Sequence, residues 1–259
     1  MYFWVKSKVL DTGGGGGFDA GYQAILDYAT GLGFTLPSAA CQILQNQLYI
    51  DIKNIGWGDF RHFACYANDG ASQDFACINW ANTGLNVTRV NAPTYTNKEG
   101  FKTNGTTQYL DCGVLMTSGT PDNRMFGLRL FSLDTFAIAF NHIGGANDLF
   151  ARYRGFMGAT FQSRNYNGTV DNITFTAGSK YRIFSRNVSS EYKAFTPSAV
   201  TVTRTRSGGN VASKPLCVGY SPTTAYEVTN VTHSFEGDGL TDTQIIDLET
   251  YLDNYMAAL

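Results

Sequence analysis

Charged residues are scarce in this chain, because only 15% of its 259 positions are Asp, Glu, Lys or Arg. An ordinary soluble domain has about a quarter. The 19 basic and 21 acidic residues nearly cancel and leave a formal net charge of -2. A balance of this kind does not attract a polyanion or an anionic membrane surface, so we expect no nucleic-acid partner.

The chain also lacks a long apolar run and a recognisable secretion signal. No apolar stretch reaches the roughly eighteen residues that a membrane-spanning helix needs. At the N-terminus, Lys6 and Lys8 follow the short apolar segment, whereas a signal peptide carries its basic residues first. We therefore expect no membrane insertion, synthesis in a cytoplasm, and arrival at any extracellular place by assembly or lysis.

Paired cysteines are missing as well. The five cysteines form no CxxC pair, and no histidine stands at a metal-ligand spacing from them. We expect buried free thiols in a chain made in a reducing compartment. The spacing of Cys65 and Cys77 leaves a hairpin disulfide open as an alternative. The cysteines are Cys41, Cys65, Cys77, Cys112 and Cys217.

Motifs of catalysis and metal binding are absent from the sequence. His62, His142 and His233 show no HxH or HExxH spacing, and no GxSxG nucleophile motif occurs. We expect each histidine to be a half-buried strand residue. The sequence predicts no catalytic residue, no metal ligand and no enzyme activity.

One acidic stretch comes close to a catalytic pattern. Glu236-Gly237-Asp238 begins a run like that of carbohydrate-cleaving jelly rolls, in which paired carboxylates perform acid–base chemistry. Thr241 stands where a third acid is required, and the two glycines favour a loop. The stretch is therefore predicted to be a solvated turn before a helix, and a polysaccharide-degrading enzyme is the least favoured function.

Helical periodicity marks both ends of the part that we expect to fold. Hydrophobic residues make up 43% and aromatic residues 14% of the chain, enough for a sizeable core. Apolar residues recur at helical spacing in residues 18–30, where Asp19 is placed to cap the first turn, and again in residues 37–55. A last helix is predicted from Thr241, with Gln244 as its capping-box partner.

From about residue 59 the apolar period changes to two, which predicts short strands separated by turns. In residues 180–186 the apolar side chains face one way and the basic ones mostly the other, so we expect one covered face. A dozen or more such strands predict a mainly β, two-sheet antiparallel sandwich with two N-terminal helices and one C-terminal helix. The candidate strands are 59–66, 75–79, 100–102, 108–111, 124–131, 135–141, 149–153, 160–165, 170–175, 180–187, 191–195, 200–206, 216–220 and 226–236.

Three stretches carry a resemblance to a known family: LYIDIKNIGWGDF at 48–60, GFKTNGTTQYLD at 100–111 and FEGDGLTDTQ at 235–244. They resemble virion proteins of tailed phages, common among phages of Bacteroides-type and Flavobacterium-type bacteria. The resemblance covers about residues 20–259 and implies a jelly roll like that of concanavalin A or laminin G domains. It also implies a strand-connecting turn at Asn104-Gly105-Thr106 and a last helix that starts at Leu240-Thr241-Asp242.

Five consecutive glycines, residues 13–17, separate an aromatic N-terminal segment from the rest of the chain. The segment MYFWVKSKVL alternates like a β-strand, and glycine-rich linkers behave as flexible chains. We predict that Tyr2, Phe3, Trp4 and Val5 dock on a neighbouring subunit as assembly contacts. The alternative is that this strand pairs with an edge of its own sandwich and hides it.

No cofactor is predicted, although calcium stays open, because loop carboxylates and carbonyls bind it in some jelly rolls. The turns that offer such ligands are Asn68-Asp69-Gly70, Asn147-Asp148 and Asp238. Sugar binding would use exposed aromatic platforms, whereas Trp57 and Trp80 are expected in the core. The candidate platforms are Tyr153, Tyr166, Tyr192, Tyr220 and Tyr226.

The sequence thus predicts an N-terminal arm in residues 1–18, a helical preamble in residues 19–58, and a jelly roll with its C-terminal helix in residues 59–259. The leading hypothesis is a non-enzymatic virion protein, a spike, fibre or capsid decoration, that the arm anchors to other virion proteins. Such a protein is expected to form homo-oligomers and to contact the host surface, including its glycans. The alternative is a carbohydrate-binding, receptor-binding lectin module.

Overall fold

The protein is described by a computed structural model. The described residues are 17–70, 72–115, 123–131, 140–142, 152–155, 160–164, 170–174, 180–188, 190–196, 199–205, 215–221, 225–226 and 230–259. For some strand residues this description covers the backbone alone. The predicted arm contacts Tyr2, Phe3, Trp4 and Val5 lie outside these ranges.

Three long helices occur where the sequence predicts them. The helices are α1 (Ala20–Gly31), α2 (Ala39–Ile55), the single turn α3 (Gln73–Ala76) and α4 (Asp242–Ala258). Asp19 accepts a hydrogen bond from the first turn of α1, Ser38 caps α2, and Thr241 with Gln244 forms the predicted capping box. Among the described helices, none is long and apolar enough to cross a bilayer.

Short antiparallel strands make up most of the described chain. They are β1 (Phe60–Cys65), β2 (Thr88–Val90), β3 (Thr94–Thr96), β4 (Gly100–Lys102), β5 (Tyr109–Leu115), β6 (Arg124–Leu130), β7 (Phe140–His142), β8 (Arg152–Gly155), β9 (Thr160–Arg164), β10 (Val170–Thr174), β11 (Tyr181–Val188), β12 (Glu191–Thr196), β13 (Ala199–Thr205), β14 (Pro215–Val218), β15 (Tyr220–Ser221), β16 (Ala225–Tyr226) and β17 (Asn230–Gly237). A turn at Asn104 joins β4 to β5, where its side-chain oxygen accepts from three backbone N–H groups.

The strands form two sheets and a small ribbon. The inner sheet has eight strands in the order β13-β12-β11-β6-β17-β4-β3, with β1 also paired to β17. The outer sheet has seven strands in the order β10-β9-β8-β7-β14-β5-β2, and β15 pairs with β16. β1 pairs with the end of β17, whereas β4 pairs with its start, so the two share one side of this strand. The two-sheet antiparallel sandwich predicted from the sequence is confirmed.

The inner sheet is covered on both faces. On one side, Phe126 and Leu128 join a core that includes Leu110 and Val218 of the outer sheet. On the other side, residues of β1, β11 and β17 pack against α1, α2 and α4 in a second core, to which Phe235 belongs. Each large apolar side chain so buried stabilises the fold by about 1.5–3 kcal/mol. The protein therefore has three layers: helices, inner sheet and outer sheet.

The third layer corrects the expectation that residues 180–186 have one covered face. Tyr181 and Ile183 pack towards the helices, while Phe184 packs between the sheets. Arg186, predicted on a solvated face, is buried as well. Because the inner sheet lies between the helices and the outer sheet, the polar character of alternate residues does not mark a wet face here.

The strand predicted at residues 75–79 is wrong, because this segment forms the helical turn α3 and an irregular stretch. Backbone N–H groups of Cys77 and Ile78 donate to carbonyls three residues earlier, which closes local turns instead of a ladder. Phe75 and Ile78 enter the core on the helix side, while Ala76 and Cys77 enter the core between the sheets. Burial in two cores produces the apolar pattern that resembles a strand.

All five cysteines are buried and free. This confirms the expectation of unpaired thiols. The alternative of a Cys65–Cys77 disulfide is wrong, since Cys65 lies in the core on the helix side and Cys77 in the core between the sheets.

Candidate functional site

An open cleft lies at the margin of the outer sheet, where its edge strand β2 meets α3 and the connection between α1 and α2. Its volume is about 330 Å³. Ligand sites for small molecules have volumes of about 300–1,000 Å³, so the cleft suits a small ligand. It is lined by Phe34, Asp74, Cys77, Asn86, Val87, Thr88 and Arg89.

The charged groups of the cleft are Arg89 and Asp74, which form an ion pair across it. The Arg89 side chain is 27% exposed and the Asp74 side chain 51% exposed. An ion pair this exposed contributes about 0–1 kcal/mol to folding, so stability does not account for its position. Apart from the group bonded to Asp74, the guanidinium N–H groups of Arg89 have no protein acceptor in the described part of the chain.

Asn86 is held in the cleft wall from both ends of its amide. Its Nδ2 donates to the hydroxyl of Tyr28 at 2.9 Å, and its Oδ1 accepts from the backbone N–H of Asn79 at 3.2 Å. The buried Asn79 in turn donates to the carbonyl of Arg61 and accepts from the N–H of Phe63. These bonds connect the loop before β2 to both α1 and β1.

The floor of the cleft is apolar. Val87 and Cys77 are buried members of the core between the sheets, and Phe34 packs partly buried against the helix-side core. Burial raises the pKa of the Cys77 thiol to about 12. This thiol therefore stays protonated at neutral pH and is not a nucleophile.

A second group of polar residues, here called the arginine–glutamate cluster, comprises Arg61, Arg124, Glu236 and Asp238. Arg61 Nη2 lies 2.7 Å from Glu236 Oε1, its Nε lies 3.2 Å from both carboxylate oxygens, and its Nη1 contacts Asp238. The predicted solvated turn at Glu236 is wrong, because this residue lies on β17 and is fully buried. β1 and β6 pair with β17 on its two sides as far as Gly237, which keeps the chain extended there.

Two pairs in the interior resemble catalytic dyads. His62 Nε2 lies 2.6 Å from Ser234 Oγ, and Cys65 Sγ lies 3.3 Å from His233 Nε2. All four residues are completely buried, so the expectation of half-buried histidines is wrong for His62 and His233. Burial lowers the pKa of His62 to about 3 and raises the pKa of the Cys65 thiol. Neither pair has a solvent-facing atom that a substrate could reach, so both are structural.

The turns predicted to offer calcium ligands have other partners where they are described. Asp69 accepts hydrogen bonds from the backbone N–H and the hydroxyl of Ser38, and so holds the start of α2. Asp238 pairs with Arg61. Within the described ranges no three His, Cys, Asp or Glu side chains converge as metal ligands do. The Asn147-Asp148 turn lies outside those ranges.

The predicted aromatic platforms are not tested by the described residues. Tyr166 lies outside them, and only the backbones of Tyr153, Tyr192, Tyr220 and Tyr226 are described, as is that of His142. Trp80 is buried and Trp57 partly buried in the helix-side core, as predicted. The sequence analysis missed the cleft residues Asp74 and Arg89, whose segment carries no motif of binding.

The described fold resembles solved structures. Botulinum neurotoxin type C, which depends on interaction with two ganglioside molecules to enter cells, matches with a TM-score of 0.52 and 10% identity over 78% of this chain and 53% of that chain. Trypanosoma rangeli sialidase in complex with 2,3-difluorosialic acid matches with a TM-score of 0.51 and 9% identity over 83% of this chain and 40% of that chain. A mutant of the same sialidase that displays trans-sialidase activity gives 0.50 and 8% over 83% of this chain and 39% of that chain.

The chain spans between 39% and 53% of the length of these structures. No protein-family model and no curated protein matches it. At such low identity the likeness establishes the fold alone, a mainly β jelly-roll sandwich as predicted.

Proposed function

We propose that the chain is a non-catalytic, lectin-like carbohydrate-binding domain and that the cleft beside β2 is its sugar site. The observation that carries this proposal is the set of groups in the cleft: an exposed Arg89–Asp74 pair and the Thr88 hydroxyl above an apolar floor. The alternative predicted from the sequence, a lectin module, is thereby preferred. The sandwich fold, shared with a toxin that uses gangliosides and with a sialidase, supports the proposal.

These groups suit a sugar because a pyranose presents neighbouring hydroxyls at its edge and C–H groups on its faces. The Asp74 carboxylate accepts from two adjacent hydroxyls, and the guanidinium of Arg89 donates to ring or hydroxyl oxygens. The ring of Phe34 offers an apolar surface for C–H groups. The volume of about 330 Å³ corresponds to a ligand of monosaccharide or disaccharide size.

The non-catalytic part of the proposal rests on what the cleft contains. Its single carboxylate, Asp74, has no second acid beside it among the lining residues, whereas glycoside hydrolysis uses a pair. The Ser234–His62 and Cys65–His233 pairs are sealed in the interior.

The test is a glycan array with the full chain, followed by calorimetric titration with the best glycan. Arg89→Ala and Asp74→Ala should each weaken binding by about tenfold or more, since a hydrogen bond to a charged group contributes about 1.5–3 kcal/mol. Lys193→Ala is the matched control, because it breaks another part-exposed ion pair, with Asp242, at the start of α4. Unchanged affinity in both cleft variants, or no saturable glycan binding by the wild type, would refute the proposal.

The virion role stays a prediction from the sequence resemblance and the N-terminal arm. No comparison links the chain to a phage, and the arm lies outside the described residues. A glycan-binding sandwich is compatible with a spike or fibre that contacts a host surface. In that arrangement the arm anchors the protein to the virion and the cleft meets the host glycan.

A further inference from the structure

The guanidinium of Arg124 is buried, and it makes no hydrogen bond with the described residues. It begins β6 with a side chain that is 1% exposed. It shares a strand face with Phe126 and Leu128, so it lies in the layer between the two sheets. Its Nε, Nη1 and Nη2 atoms are buried and have no hydrogen-bond partner in the described part of the chain.

The nearest carboxylate does not complete the site. Arg124 Nε lies 3.3 Å from Glu236 Oε1, an ionic contact that does not meet hydrogen-bond geometry. The same carboxylate already accepts three N–H contacts from Arg61, and Asp238 is also bound by Arg61. Both acids of the arginine–glutamate cluster are therefore bonded to Arg61. The Nη1 and Nη2 atoms of Arg124 make no hydrogen bond with either acid.

The neighbouring strand adds a second cation. Arg186 of β11 pairs in register with Arg124, and it is buried too. Two arginines paired in register within a buried layer raise the local positive charge, which favours an anion near the guanidinium of Arg124.

We propose that Arg124 binds a small oxyanion between the sheets, with a carboxylate seated on its Nη1 and Nη2 atoms. The planar fork of a guanidinium donates two parallel N–H bonds, which match the two coplanar oxygens of a carboxylate. Arg61, 21% exposed, and Asp238, 39% exposed, lie at the solvent-facing edge of the same arginine–glutamate cluster. This site is separate from the sugar cleft and shares no lining residue with it.

The experiment follows thermal unfolding of the full chain in sodium formate, with sodium chloride adjusted to keep ionic strength constant. A bound anion should raise the Tm saturably, by a few degrees at about a hundredfold excess over the Kd. Arg124→Met should abolish the rise, because it removes the guanidinium that holds formate. Arg124→Lys keeps the charge without the fork and should raise the half-saturating formate concentration at least tenfold.

The matched control is Arg129→Met, on the same strand. Arg129 is also buried, but it is bonded to Asp253 at 2.7 Å and to the hydroxyl of Tyr181 at 3.1 Å. This variant should lose stability and keep the formate-dependent rise. A rise that persists in Arg124→Met would mean that formate binds elsewhere, and either that result or a wild type that does not respond to formate overturns the proposal. Acetate and sulfate arms distinguish a carboxylate from a general oxyanion. Neither result bears on the sugar cleft.

Discussion

At the scale of single residues, burial decides the chemistry of the histidines more than their sequence neighbours do. His62 and His233 are fully enclosed, and burial lowers the pKa of His62 to about 3 and that of His233 well below its usual range. In the unfolded chain both titrate near 6.5. Protons therefore bind the unfolded chain preferentially as the pH falls below about 6.5, and the stabilisation present above that pH is progressively lost.

We predict a stability that depends on pH in mild acid. The free energy of unfolding should fall between pH 6 and 5 by about 1.4 kcal/mol per pH unit for each buried histidine. His62→Gln removes one titrating group, so its slope should be shallower by about that amount. Urea unfolding of both proteins across this range gives the slopes. Equal slopes would mean that His62 is protonated in the folded state.

Residue character was a good guide where the chemistry is simple. The unpaired cysteines and the core tryptophans were predicted from composition and position. Glu236 was not, because an acid is expected at the surface, and only the approach of Arg61 and Arg124 from distant parts of the sequence makes its burial tolerable. No local sequence pattern predicts that these two arginines contact Glu236.

At the scale of elements, β17 runs so close to the chain before β1 that one position accepts no side chain. A Cβ added to Gly237 would lie 1.9 Å from the carbonyl oxygen of Asp59. Because the obstacle is backbone, it cannot rotate away, and we predict that Gly237→Ala destabilises the protein by roughly 1–3 kcal/mol. Gly58→Ala is the matched control, since nothing lies within 4 Å of its added methyl. Urea denaturation should separate the two, and equal stabilities would contradict the close approach.

The long helices were predictable from their caps and periodicity, whereas some of the short strands were not. The caps predicted at Asp19 and Thr241, and the periodicity from residue 37, gave the starts of the long helices to within about two residues. β2 and β3 were missed, although the equally short β4 was predicted at residues 100–102. The segment at 75–79 misled because its apolar residues enter two different cores.

At the scale of the whole molecule, the sandwich follows from the number and length of the strands, whereas the helix layer over the inner sheet was only partly foreseen. The cleft could not be predicted, since Phe34, Asp74 and Arg89 come from three segments that only the topology brings together. Local periodicity predicts the fold class. A site assembled from loops and an edge strand depends instead on how the layers pack together.

The N-terminal arm gives a prediction for the assembled protein. Deleting residues 1–17 should leave the Tm within about 2 °C, because the first cap, at Asp19, and the helix that follows are kept. The same deletion should reduce the mass measured by light scattering from an oligomer to a monomer. Replacing Tyr2, Phe3 and Trp4 by Ser, with the glycines kept, should have the same effect. An unchanged mass would argue against assembly through the arm, and a large fall in Tm would favour pairing with its own sandwich.

The helix layer also determines which face of the molecule is held when a partner or support is attached near either end of the described chain. Phe18 and Leu259, near the two ends of the described chain, both pack against the helix-side core. Any tether, fused partner or surface linkage attached next to Phe18 or Leu259 therefore holds the protein by its helix layer. The outer sheet, on the other side of the inner sheet, then faces away from the support.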